Sequence, residues 1–169
     1  MQRFVTRVLA IALITLAFAV PARAQATSEV TVELSAHRVI QQNGKEVLES
    51  AEKARPGEVV EYRATCRNTS THGVKSVAAT LPVPTGTEYV AGTASPKGAL
   101  ASLDGKTYEP MPLKRKERLA DGREVVREVP VSEYRYLRWT IASLDAGAEK
   151  SVRARLRVTP LAVADATQK

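Results

Sequence analysis

Few residues of this sequence have the types and spacing that catalysis requires. A cysteine nucleophile needs a base held beside it, and the only such pairs that the chain contains are Cys66 with His37 or His72. Cys66 lies on the apolar row of a predicted strand, where a cysteine behaves as a small hydrophobic side chain. We therefore predict a structural Cys66 and no enzyme. An intermolecular disulfide and a reactive thiol are the alternatives.

Metal and acid-base chemistry have equally little support in the sequence. Two distant histidines and one cysteine form no ligand set with zinc spacing, and no loop has the oxygen-rich pattern of an EF-hand. Calcium held by scattered carboxylates and a catalytic pair of carboxylates are both conceivable, but nothing in the pattern selects the residues. The sequence predicts no cofactor and no metal site.

Clusters of cations remain, and they suit binding rather than catalysis. One cluster lies in a long charged stretch, and the other alternates with apolar residues near the C-terminus: Lys114, Arg115, Lys116 and Arg118 in the first, Arg153, Arg155 and Arg157 in the second. Either could bind an anionic polymer, phospholipid headgroups or an acidic protein. The alternative is a solvated surface, in which lysines keep a hairpin soluble and arginines pair with exposed acids such as Glu61.

The N-terminus is ordered like a secretory signal peptide. Arg3 and Arg7 precede an uncharged run at residues 8–20, and Ala22-Arg23-Ala24 supplies the small side chains of a cleavage site. The run is shorter than the roughly 20 apolar residues of a membrane-spanning helix. We predict a cleaved signal peptide at residues 1–24, a lead-in at residues 25–28, and no membrane span in the mature chain.

Cleavage changes the charge of the chain. Loss of Arg3, Arg7 and Arg23 leaves 22 basic and 18 acidic residues, so the net charge falls from +7 to +4. The cations that remain are interspersed with acids, which suits a mixed-charge surface. The predicted location is the periplasm, the cell surface or the medium, and export disfavours a nucleic acid partner. The sequence leaves the oligomeric state open.

Apolar and polar residues alternate through much of the mature chain, which is typical of strands with one buried face. The apolar rows are Val30, Val32, Leu34 and Ala36; Val60, Tyr62, Ala64 and Cys66; Val77, Ala79 and Leu81; Leu137, Trp139 and Ile141; and Val152, Ala154, Leu156 and Val158. Turn dipeptides occur at Asn43-Gly44, Asp104-Gly105 and Asp121-Gly122. This pattern predicts one all-β domain, an antiparallel sandwich over residues 29–158, with Trp139 in its core.

Several short motifs follow one another in a recognisable order. They are Arg55-Pro-Gly-Glu-Val-Val-Glu-Tyr62, Cys66-Arg-Asn-Thr-Ser70, Ala79-Thr-Leu-Pro82, Thr87-Glu-Tyr-Val-Ala-Gly-Thr93, Leu137-Arg-Trp-Thr-Ile141 and Leu144-Asp-Ala-Gly-Ala148. In this order they resemble the bacterial repeat family known as domain of unknown function 11, over about residues 30–158. The resemblance implies an immunoglobulin-like sandwich of the kind found in secreted and cell-surface proteins, with no catalytic residues.

The chain departs from that family in two respects. It contains one copy where tandem arrays are common, and the connection at residues 110–133 is a longer and more charged insertion than usual. Residues 159–169 form a tail after the predicted domain. We therefore expect an exported, non-catalytic interaction module that presents the insertion to another envelope protein or to a surface polymer. The alternatives are a structural component of the wall or matrix without a specific ligand, and a hydrolytic enzyme with a site on its loops.

Overall fold

A computed structural model describes residues 29–160 of the chain. The predicted signal peptide at residues 1–24, the lead-in at residues 25–28 and residues 161–169 of the predicted tail lie outside the described residues.

The described residues form eleven strands and two short 3-10 helices. The strands are Val30–Gln42 (β1), Lys45–Ser50 (β2), Val59–Asn68 (β3), Val74–Pro82 (β4), Thr87–Tyr89 (β5), Leu100–Ser102 (β6), Glu109–Pro110 (β7), Lys114–Arg118 (β8), Glu124–Glu128 (β9), Tyr136–Leu144 (β10) and Glu149–Val158 (β11). The 3-10 helices are Ala51–Lys53 and Val131–Glu133.

The strands assemble into two sheets and a separate hairpin. Sheet 1 has the order β2-β1-β3-β11-β5, and sheet 2 has the order β4-β10-β6-β7. All pairings are antiparallel. β4 lies across from β3, and β10 lies across from β11, so the sheets pack face to face. The predicted all-β, immunoglobulin-like antiparallel sandwich is confirmed.

The turn dipeptides lie where the sequence places them. Asn43 and Gly44 connect β1 to β2 with φ angles of 53° and 75°, as a two-residue hairpin turn with positive φ at both positions requires. Gly122 (φ 86°) lies in the turn between β8 and β9, which pair as a hairpin. β6 pairs with β7 around the third dipeptide, Asp104-Gly105.

The core lies between the sheets and is filled by the inward rows of four strands. Buried members are Ala64, Cys66, Val77, Ala79, Leu81, Leu137, Trp139, Ile141, Val152, Ala154 and Leu156. Trp139 Nε1 donates to the carbonyl oxygen of Pro96 at 2.7 Å, so the indole is buried with its polar group satisfied. Burial of each large apolar side chain contributes about 1.5–3 kcal/mol. Four of the predicted rows are thus confirmed, although Tyr62 and Val158 are only half-buried.

The first predicted row is wrong in part. Val32 and Leu34 pair with the fully buried Cys66 and Ala64 and so share their inward face, yet they are 50% and 53% exposed. Sheet 2 ends at β4, which lies across from β3, and no described strand lies across from β1. Alternation predicted the direction of these side chains correctly, but it does not show whether anything covers them.

A buried amide joins two of the places where the chain passes between the sheets, from β3 to β4 and from β10 to β11. Asn68, at the end of β3, is fully buried. Its Nδ2 lies within hydrogen-bonding distance of three carbonyl oxygens, those of His72 (2.7 Å), Leu144 (3.0 Å) and Asp145 (3.1 Å), and its two hydrogens are shared among them. Its Oδ1 accepts hydrogen bonds from the backbone nitrogen and the hydroxyl of Ser70, at 3.0 and 2.7 Å. One side chain thereby fixes the β3–β4 crossing against the β10–β11 crossing.

We expect Asn68→Ala to lower the free energy of unfolding by about 2–3 kcal/mol, because buried carbonyl groups and the Ser70 amide lose their partner. Urea unfolding measures the loss. Thr69→Ala is the matched control, since its hydroxyl makes one exposed bond to the Glu29 carbonyl oxygen and its removal should cost under about 1 kcal/mol. Equal losses in the two variants would contradict the role assigned to Asn68.

Candidate partner-binding surface

The charged insertion folds as a hairpin of its own. β8 and β9 pair from Lys114 opposite Glu128 to Arg118 opposite Glu124. At the tip, the Gly122 nitrogen donates to the Leu119 carbonyl oxygen at 2.9 Å. The Asp121 carboxylate accepts the Arg123 backbone N–H at 3.0 Å, and this bond holds the pKa of Asp121 below its ordinary value. The insertion is therefore an ordered element rather than a loose loop.

The foot of the hairpin is anchored in the core. Leu113 and Val129 flank the two strands, and both are buried. The Val129 nitrogen donates to the Leu113 carbonyl oxygen at 2.8 Å, and the Leu113 nitrogen donates to the Tyr134 hydroxyl at 2.9 Å. The Tyr134 ring stacks on that of Tyr89, with 6.2 Å between the centroids and 14° between the planes. These contacts fix the direction in which the hairpin leaves the sandwich.

Three of the predicted cations occupy one face of the hairpin. Lys114, Lys116 and Arg118 alternate along β8 and so point the same way. All three are exposed, and within residues 29–160 none has a carboxylate oxygen within salt-bridge distance. Opposite them on β9 lie Glu128, Val126 and Glu124, with Val126 62% exposed. The face therefore carries a row of three cations beside a row of two glutamates and one exposed valine.

Arg115 lies on the other face of the hairpin and has partners there. Its guanidinium donates two hydrogen bonds to Glu133, at 2.9 and 3.3 Å. On the same face, Arg127 pairs with Glu117 at 2.8 Å. The structure thus separates Arg115 from the three cations with which the sequence groups it.

The arginines of β11 form a second charged surface, on the outer face of sheet 1. Arg155 donates two hydrogen bonds to Glu46, at 3.0 and 2.6 Å. Arg153 lies 3.9 Å from Glu61, and Arg157 lies 4.0 Å from Glu88. Each arginine of this row therefore has a carboxylate close by. These carboxylates offset the positive charge of the arginines, so the row attracts an external anion less strongly than the cations of the hairpin do.

Glu61 is buried beneath the arginines, not exposed as the sequence suggested. Its residue exposure is 4%. The nearest cation is Arg63, 3.0 Å from Oε1, while Arg155 Nε lies 3.8 Å from Oε2. Long arginine side chains cover the carboxylate with their stems while their charged ends stay near the solvent.

The structure does not bring Cys66 together with a histidine. Cys66 lies on the inward face of β3 and is fully buried, and burial raises the pKa of its thiol. His37 is opposite Glu61 on the outer face of sheet 1, and His72 is exposed and lies 3.3 Å from Glu29. No three His, Cys, Asp or Glu side chains of the described residues converge as a metal site.

A groove at the foot of the hairpin has no counterpart in the sequence analysis. Its volume is about 630 Å³, and its walls are mostly apolar. The insertion contributes Met111 and Val131, and Tyr134 follows it directly. Lys97 from the segment between β5 and β6 and Leu100 at the start of β6 complete the walls. These walls come from separate stretches, so no single motif points to the groove. The run Pro110-Met111-Pro112 and the small residues at 91–99 are the signals that the sequence carries.

Comparison with protein-family models, with curated proteins and with solved structures finds no match to this chain. The resemblance to domain of unknown function 11 therefore stays a prediction. Between residues 29 and 160, the structure contains no helix with the length and hydropathy needed to cross a membrane.

The ion pair between Arg155 and Glu46 should make part of the stability of the fold depend on pH. Hydrogen bonds from Arg155, and then its charge, hold the pKa of Glu46 below the ordinary 4.5. A lowered folded-state pKa stabilises the fold above the ordinary value, and the stabilisation is lost as the pH falls through the folded-state pKa. In Arg155→Gln, the urea midpoint should therefore fall less between about pH 6 and about pH 3 than it does in the parent.

Arg157→Gln is the matched control for this experiment, because its carboxylate partner is 4.0 Å away. It should retain the acid sensitivity of the parent. The same fall in midpoint in the parent and in both variants would show that the Arg155–Glu46 pair contributes nothing to acid stability.

Proposed function

We propose that this chain is an exported, non-catalytic interaction module of the bacterial cell envelope, which binds an anionic partner through the β8–β9 hairpin. The partner is an acidic face of another envelope protein or an anionic surface polymer. Export rests on the predicted signal peptide at residues 1–24. The observation that carries the proposal is the row of Lys114, Lys116 and Arg118 on an ordered, projecting hairpin.

The hairpin contributes little to the stability of the domain, and its anchored position suits it to binding. Its strands have exposed side chains apart from the half-buried Val125, so they add little to the apolar core. Its foot is nevertheless anchored by Leu113, Val129 and Tyr134. An anchored element presents its charges in a defined arrangement, which lowers the entropy that binding costs.

The charges of the two surfaces favour the hairpin over the arginine row. Arg153, Arg155 and Arg157 already lie near carboxylates of their own chain. An anion that binds there competes with those carboxylates. Lys114, Lys116 and Arg118 have no carboxylate oxygen within 4.0 Å among residues 29–160, although Glu128 and Glu124 lie opposite the first and last of them. An external carboxylate or sulfate therefore meets less competition at the hairpin, most of all at Lys116, which lies opposite Val126.

Removal of the hairpin should abolish partner capture and leave the sandwich folded. Because the Val129 nitrogen donates to the Leu113 carbonyl oxygen, a two-residue Asn-Gly turn can join these residues in place of residues 114–128. The free energy of unfolding should change by less than about 1 kcal/mol. Proximity crosslinking in a bacterial host that carries the gene compares partners of the two chains, and an unchanged set would remove the hairpin from the proposal.

Neutral substitution tests the charges separately from the hairpin backbone. The triple variant Lys114→Gln, Lys116→Gln, Arg118→Gln should bind dextran sulfate about tenfold more weakly than the parent at low salt, because three unpaired cations are lost. The control with the same net charge is Lys45→Gln, Lys53→Gln, Lys106→Gln, on exposed positions elsewhere.

A polymer partner and an acidic protein partner predict different results in these two assays. A polymer partner predicts weaker dextran sulfate binding only in the hairpin triple variant. An acidic protein partner predicts loss of a specific crosslinked protein in that variant, even where the polymer binds both variants alike. Equal behaviour of both triple variants in both assays would contradict the proposal.

A further inference from the structure

One side of the sandwich is left open by the mismatch between the two sheets. β1 lies beside β3 in sheet 1, while sheet 2 stops at β4, across from β3. β1 therefore extends past sheet 2, and over residues 31–36 no further strand of the described chain lies beside it, because β2 pairs only with residues 37–42. We call this part of β1 the overhang. Val32 and Leu34 lie on its inward face at 50% and 53% exposure.

The edge of β4 borders the overhang, and its central residues 77–81 carry no charge. We call these five residues the plain edge. The Val83 nitrogen donates to the Arg135 carbonyl oxygen at 2.8 Å, in register with the β4–β10 pairing. Backbone groups alternate in direction along an antiparallel strand, so those of Val77, Ala79 and Leu81 point to β10. Those of Ala78 and Thr80 then point away from it, where no strand of the described chain pairs.

The features that usually block strand addition lie at the two ends of this edge, Lys75 and a kink at Ser76 at one end and Pro82 at the other, and are absent from residues 77–81. Charged side chains, proline and bulges are the common protection of an exposed edge. Residues 77–81 are uncharged, and Ala78 and Thr80 have small side chains. By contrast, β2 carries Lys45, Glu46 and Glu49 along its edge, and β8 and β9 are charged along most of their length. A kink at Ser76 (φ 55°) limits the plain edge to five residues.

The space above the overhang is one strand wide. A strand paired with β4 would lie about 4.8 Å from it and directly above β1, where it would cover Val32 and Leu34. The β4 of a second copy does not fit there, because its own β3 lies beneath it and would occupy the place of β1. The site therefore takes a single extended segment rather than the edge of another sandwich.

A charge at one end of the site gives the segment a direction. Lys75, at the start of β4, is exposed and has no ion pair among residues 29–160. At the other end, Arg38 contacts Glu49 at 2.7 Å and Glu58 at 3.2 Å, and Arg55 also lies beside Glu58, so the charges there balance. A segment antiparallel to β4 finishes near Lys75, and an acid at its finish complements that charge.

We propose that the β4 edge and the overhang form a strand-addition site for an extended segment of a partner protein. The segment carries apolar side chains at two alternate positions, which cover Leu34 and then Val32, with an acid after them that meets Lys75. Main-chain hydrogen bonds to Ala78 and Thr80 provide affinity, and the alternate side chains provide specificity. This site is independent of the hairpin, which leaves sheet 2 beyond the opposite edge strand, β7.

A labelled peptide of the sequence Lys-Thr-Val-Thr-Val-Thr-Asp, blocked at both ends, is the probe. It should bind the chain one to one in fluorescence anisotropy. Leu34→Lys should weaken binding at least about tenfold, because a charge replaces the apolar contact. Leu48→Lys is the matched control, since Leu48 is 42% exposed on the outer face of sheet 1 and should have no effect.

The backbone contact is tested at Ala78. Ala78→Pro removes an outward N–H and should also weaken binding at least about tenfold, whereas Ala78→Thr keeps the N–H and should bind as the parent does. Circular dichroism checks that each variant is folded. If Ala78→Pro does not fold, the comparison of Leu34→Lys with Leu48→Lys decides the outcome.

Three results would overturn the proposal. The first is equal binding of the peptide to Leu34→Lys and Leu48→Lys. The second is equal binding of the parent chain to the peptide Lys-Val-Val-Thr-Thr-Thr-Asp, which has the same composition without alternation. The third is absence of peptide binding together with a dimer that Leu34→Lys dissociates, which would make a second copy the occupant. The variant without residues 114–128 should bind the probe like the parent, so failure of the hairpin proposal remains distinguishable.

Discussion

The two sheets are held together at one end of the sandwich by the hydrogen bonds of one buried amide. Asn68 satisfies carbonyl groups from two of the crossings between the sheets, β3–β4 and β10–β11, and its own oxygen is satisfied by Ser70. A buried polar group that is fully paired specifies one arrangement, because any shift of either crossing leaves it unpaired. β3 and β4 follow from one crossing, and β10 and β11 from the other. The core between these four strands is therefore positioned by a polar contact at its end.

This arrangement places two different surfaces at opposite edges of sheet 2. The β4 edge meets the apolar overhang, and the charged hairpin arises beyond β7 and is anchored by Leu113 and Tyr134. The outer face of sheet 1 is instead covered by arginines and carboxylates of the same chain, with Glu61 buried among them. The two proposed sites therefore lie at opposite edges of sheet 2 and share no residues.

Much of the sandwich is readable from the sequence, because alternation reports the direction of each side chain and glycine-containing dipeptides report tight turns. The inward rows of β3, β4, β10 and β11 and the turn at Asn43-Gly44 are examples. What covers a face depends on strand order, which alternation does not encode, and Val32 and Leu34 were misjudged for that reason. The burial of Glu61 depends on arginines from two strands, and the groove beside Tyr134 has walls from distant stretches. The cation row on β8 was named in the sequence, but the separation of Arg115 from it required the hairpin register.

The position of β3 between β1 and β11 has a mechanical consequence. Both neighbours are antiparallel to β3, so β1 starts and β11 finishes at opposite ends of the sandwich. Tension applied between Glu29 and Val158 would pull these two strands in opposite directions along β3. The backbone bonds of both pairings would then carry the load in shear, all together, instead of opening one after another as in a hairpin pulled from its ends. The order of these three strands therefore makes shear, rather than stepwise opening, the direction in which tension between Glu29 and Val158 acts.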